Sequence, residues 1–101
     1  NVALCLDSSH ACTYAHLFPE QQRPEILMSF LARPDILKHV HWSDNYLYDS
    51  RGREDSHAFI GKGTLTEEFH RAIKGLDATL LLEHSPSPEE LEEELDYIHR
   101  L

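Results

Sequence analysis

Three short apolar runs constrain this chain more than any other feature, because each ends in a side chain that is costly to bury alone. Residues 2–7, VALCLD, close on Asp7; residues 36–43, ILKHVHWS, carry His41 near their end; residues 78–83, ATLLLE, close on Glu83. In the first run Val2, Leu4 and Leu6 share one face, with Ala3, Cys5 and Asp7 on the other. Both faces stay apolar until the tip, which predicts a strand buried on both sides of a parallel sheet. A carboxylate at such a tip needs a partner or a cation.

The segments between the runs read as helices. Ala11 to Phe18 forms a turn or two before Pro19. Pro24 stands as a first-turn proline ahead of Ile26, Leu27, Phe30 and Leu31, and Pro34 ends that helix. Thr64 and Glu67 have the spacing of a capping box, followed by the stripe Leu65, Phe69, Ala72, Ile73 and Leu76, with Gly75 as the stop. Ser87, Pro88 and Glu90 open a last helix with the stripe Leu91, Leu95, Ile98 and Leu101. Strand, helix, strand, helix, strand, helix implies parallel neighbours joined by right-handed crossovers. All strand C-termini then lie at one end, so Asp7, His41 and Glu83 are expected to converge. The turn after the first strand is Ser8-Ser9-His10, with no glycine, so dinucleotide binding is unsupported.

The stretch from His39 to Gly63, HVHWSDNYLYDSRGREDSHAFIGKG, begins in the second strand, opens into a polar loop that holds Asp44, Asp49, Asp55 and His57, and closes on Gly61 and Gly63. Asp55 and His57 are two apart and point the same way in an extended segment. Asp7 and His10, three apart across a turn, are close enough to share a site; the alternative is that Asp7 only caps the next helix. Imidazole with carboxylate is a divalent-metal ligand set of zinc or manganese type. Of the eight histidines, His16, His70 and His99 read as scattered surface residues, and the acids from Glu89 to Glu94 as a solvated helix face.

A net charge of −9, with 18 acidic against 9 basic residues, opposes a broad phosphate-backbone footprint and makes nucleic acid an unfavourable partner. No apolar run approaches membrane-spanning length. The opening NVALCLDSSH lacks a secretory signal's basic flank. Two cysteines are too few for a disulfide framework; Cys5 in its apolar strand reads as a small buried thiol, and a reducing cytoplasm is the expected location.

In combination, D-x-x-H at Asp7, H-V-H-x-S-D-N from His39, D-x-H-x-x-x-G-x-G from Asp55 and L-L-L-E ending at Glu83 resemble the xylose isomerase-like TIM-barrel superfamily. That group includes sugar and sugar-phosphate isomerases and epimerases and apurinic-site endonucleases. The resemblance covers nearly the whole chain and implies the last three strand–helix units of a (β/α)8 barrel, an α/β fold that needs roughly 250 residues when complete. Residues 1–101 would then be the C-terminal part of such a domain, nearly inactive alone, completed by an N-terminal portion or another copy. Three parallel strands cannot close, and would leave two bare edges and an uncovered interior face.

By the same resemblance Asp7, His41 and Glu83 are expected to bind a divalent ion (Mn, Zn, Co or Mg). Glu83 would double as a catalytic acid/base, with His10 and His39 on the substrate and Asp55 and His57 as further candidate ligands. Gly61 and Gly63 would let backbone pass close to the site. The implied reaction is proton transfer beside a metal-bound carbonyl of a sugar or sugar phosphate. The alternatives are metal-dependent hydrolysis at abasic DNA and a non-catalytic remnant.

Overall fold

The computed structural model describes residues 2–46, 57–84 and 86–101. It is an α/β fold: β1 (Leu4–Asp7), α1 (Ser8–Ala15), a 3-10 turn at Glu20–Gln22, α2 (Arg23–Ser29), β2 (Leu37–Trp42), α3 (Glu67–Lys74), β3 (Thr79–Leu82) and α4 (Pro88–Arg100). The three strands form one parallel sheet in the order β1-β2-β3. Cys5 pairs with His39 and Asp7 with His41, and His41 in turn pairs with Leu81.

One face of the sheet carries the core. Leu6, Val40 and Trp42 join Ala11, Cys12 and Ala15 of α1, Leu27 of α2, and Phe69 and Ile73 of α3. Tyr97 and Ile98 of α4, with Leu101 just past its end, pack against the same cluster. The opposite face is open: Cys5 is exposed and Leu81 is 47% exposed. The expected two-sided burial of the first strand, and of the Cys5 thiol with it, therefore does not hold in the described residues. The uncovered face expected of three unclosed strands is what the structure has.

Caps differ where tertiary bonds compete. Ser87 and Glu90 form both halves of the expected capping box on α4. The box expected at Thr64 does not form. Thr64 donates both its backbone N–H (2.9 Å) and its hydroxyl (2.6 Å) to the Asn45 carbonyl, and Leu65 N–H goes to Asp44. The cap moves to Thr66, whose side chain accepts from Phe69 N–H at 3.1 Å.

Asp44 is the brace for the end of β2. Its Oδ1 accepts the N–H groups of Asn45 and Leu65, both at 2.9 Å. Its Oδ2 accepts Gly61 N–H at 3.1 Å and lies 2.9 Å from His70 Nε2. The indole N–H of Trp42 can only donate, and it meets His70 Nδ1 at 3.0 Å. That contact fixes the His70 tautomer: Nδ1 accepts, and Nε2–H donates to Asp44. His70 is fully buried, so the surface assignment is corrected. The chain then returns beside Asp44, with Ala58 and Asp44 exchanging backbone bonds of 2.9 and 3.0 Å.

Gly61 and Gly63 serve this brace and its surroundings. Gly61 has φ +88°, and a Cβ there would fall 2.6 Å from the Tyr97 ring; one at Gly63 would strike Asp44 and the Asn45 carbonyl.

Asp44→Asn keeps the shape but turns an NH2 toward N–H donors, and the tautomer held by Trp42 prevents His70 from adapting. The expected loss is about 2–4 kcal/mol in urea unfolding. A change below about 0.5 kcal/mol would remove Asp44 from this role.

Candidate functional site

The open face of the sheet gathers the polar strand tips. Asp7 and His41 are register partners, and Glu83, two residues beyond Leu81, continues the same face past the end of β3. One ligand atom from each of Asp7, His41 and Glu83 lies within 4.8 Å of those from the other two. His41 Nδ1 stands 2.8 Å from Glu83 Oε1, and the side chains of Asp7, His41 and Glu83 are 20%, 34% and 24% exposed. Three separate strands thus deliver two carboxylates and an imidazole to one half-exposed cluster.

Local structure explains the geometry at each tip. Ser8 fastens β1 to β2: its hydroxyl donates to the Ser43 carbonyl at 2.6 Å and accepts Ser43 N–H at 2.9 Å. Next to it, Ser9 Oγ accepts from the Asn45 amide at 3.0 Å. Asp7 is both tip and cap. Its Oδ1 accepts His10 N–H at 3.0 Å as the N-cap of α1, while Oδ2 lies 3.5 Å from His10 Nδ1. The capping reading and the site reading of Asp7 are therefore compatible, since they use the carboxylate together.

His10 points its largely exposed ring to the rim beside Asp7. A groove of about 460 Å³ opens there, lined by Cys5, Asp7, His10, Tyr14 and Phe30. His39 lies on the same strand face as His41, ring centroids 5.0 Å apart. His57 is exposed and stands outside the metal-type groups formed by the described residues. Asp49 and Asp55 lie outside the described residues.

A second buried polar pair escaped the sequence reading. Glu94, assigned to a solvated face, is 3% exposed. Its Oε2 accepts Ile60 N–H at 2.7 Å and lies 2.6 Å from His84 Nε2, which pins α4 to the returning segment. Glu94 of this pair lines a cavity of about 380 Å³ between residues 59–62 and α4. That cavity shares no lining residue with the Asp7, His41 and Glu83 group.

No family model, curated protein or solved structure matches this chain. Fold and site together define a small α/β sheet with an oxygen- and nitrogen-donor cluster at its strand C-termini. Among the described residues no helix is long and apolar enough to cross a membrane.

The two thiols are chemically distinct. Cys5 is exposed on the open face, and Cys12 is buried in the core beside Thr64. Burial is the main cause that pushes the Cys12 thiol up from 9.0 to about 11. Between those values the folded chain holds a proton that the unfolded chain has released, so stability falls as pH rises through the window. The contribution is fully present below pH 9 and lost above about pH 11. Urea unfolding of the wild type should lose up to about 2–3 kcal/mol relative to Cys12→Ala across that range. Parallel pH profiles of the two proteins would contradict the assignment.

Proposed function

We propose that this chain supplies the last three strand–helix units of a xylose isomerase-like TIM barrel, and that Asp7, His41 and Glu83 hold a divalent ion in it. The observation that carries the reading is the meeting of two carboxylates and an imidazole, brought by three separate strands and their C-terminal ends, on one face. In such barrels that end is where catalytic residues gather. The uncovered sheet face supports a larger closed structure, because side chains on it have no layer above them.

The donor set fits the ion. Two carboxylates and an imidazole suit manganese, cobalt, zinc or magnesium, and the cluster is sheltered without being sealed. Such an ion supplies Lewis acidity toward adjacent substrate oxygens. The chain's own residues would do the rest. Glu83 takes or returns the proton on the carbon beside the carbonyl. His41, 2.8 Å away, orients that carboxylate. His10 and His39 line the substrate's approach from either side of Asp7 and His41. The substrate class is a sugar or sugar phosphate, and the reaction isomerisation or epimerisation. A net charge of −9 supports a small polyol over nucleic acid as the ligand.

Calorimetry with Mn2+ on the 101-residue chain should show uptake, weakened about tenfold or more by Asp7→Asn and by Glu83→Gln. Absence of uptake, or full affinity in both variants, would overturn the metal reading. In the closed barrel, Glu83→Gln should abolish exchange of solvent deuterium into a ketose or its phosphate. Undiminished exchange would remove Glu83 from the proton transfer.

A further inference from the structure

Two register positions before the Asp7–His41 pair, the same open face presents a different chemistry. Cys5 is the strand partner of His39, and His39 and His41 are two apart on one strand, so all three side chains share a face. One ligand atom from each of Cys5, His39 and His41 lies within 4.8 Å of those from the other two. The histidine rings meet edge to face at 81°. The proposed isomerase chemistry has no use for a thiol at this place.

We infer that Cys5, His39 and His41 form a second and softer metal position, suited to Zn2+, which shares His41 with the oxygen-rich one. One sulfur and two imidazole nitrogens are zinc donors, and three protein ligands leave a fourth position for water. A tetrahedral zinc with bonds of about 2.0–2.3 Å holds its ligand atoms about 3.3–3.8 Å apart. Reaching that spacing from separations within 4.8 Å takes side-chain rotation at most, and these three side chains are exposed or half-exposed rather than locked in the core. The ion forms a sulfur–metal bond as the Cys5 thiol gives its proton to solvent, with no oxidant or reductant involved. Cys12 offers no alternative thiol, because it is buried on the core side of α1 with its proton held tightly.

The shared histidine couples the two positions. His41 now lies against Glu83. An ion on the sulfur side draws His41 toward Cys5 and His39 and takes one of three ligands from the oxygen side. Zinc therefore opposes manganese or magnesium, which bind to oxygen. The inference rests on the proposed function only through this coupling; the sulfur position itself stands on its own residues.

Cobalt(II) is the direct probe, titrated into the 101-residue chain with a phosphine reductant. A near-ultraviolet thiolate-to-cobalt charge-transfer band should grow to one cobalt per chain, with the visible bands of a tetrahedral site. Cys5→Ser and His39→Ala should lose the thiolate band; Cys12→Ala and Glu83→Gln should keep it. Zinc should bleach it. Cobalt uptake without a thiolate band, a band that survives Cys5→Ser, or a ratio of one cobalt per two chains would each overturn the inference. Loss of this band with Mn2+ uptake intact sinks the sulfur position alone. An intact band without Mn2+ uptake sinks only the oxygen position.

Discussion

The end of β2 depends on one buried carboxylate. Asp44 has no solvent contact and answers the cost of burial with four N–H partners: Asn45, Leu65, Gly61 and His70. Those donors come from three places in the chain that otherwise have little reason to meet. Asn45 continues the strand, Gly61 and Leu65 belong to the returning segment, and His70 is on α3. The Trp42 indole closes the set by fixing which His70 nitrogen faces the aspartate. A half-satisfied network of this kind is worse than an apolar core, so its members are mutually dependent.

Holding that end of β2 is what sets the register of the open face. Ser8 clasps Ser43, and the Asn45 amide bonds Ser9, so the tip of β1 is tied to the tip of β2. Parallel pairing then places Asp7 beside His41 and Cys5 beside His39. Glu83 arrives from β3 because side chains two apart share a face. The same alternation that sends Val40 and Trp42 into the core sends His39 and His41 out of it.

Much of this was legible in the sequence, for a physical reason. Strand runs with a hard ligand type at each tip are unusual, and parallel topology alone puts the tips at one end. The misreadings arose where a tertiary bond outweighed a local signal. Thr64 has capping-box spacing to Glu67, but the Asn45 carbonyl takes its hydroxyl. His70 looked like a surface residue because it flanks the α3 stripe at Phe69 and Ile73. The overlooked signal was Trp42, whose N–H must find an acceptor once buried. Glu94 was hidden in an acidic run, yet it shares the inner face of α4 with Tyr97 and Ile98, while Leu91 and Leu95 of the expected stripe are exposed. An acid on an apolar stripe calls for a partner, and His84 and Ile60 N–H provide it. Residues 47–56, which include Asp55, lie outside the described residues.

The two polar systems occupy opposite faces of one sheet, and this separation has a consequence for how the site can change. The Asp44 brace and the Glu94–His84 pair are enclosed with the helices, where a lost partner leaves a buried group unpaired. Asp7, His41, Glu83, Cys5 and His39 stand on the open side, where solvent can solvate any group that loses a neighbour. Conservative exchanges on the open face therefore change its polar groups at small cost to folding, whereas exchanges at the brace disturb the fold before they touch that face. A sheet built this way can trade oxygen for sulfur or nitrogen donors along a single register while its core stays fixed.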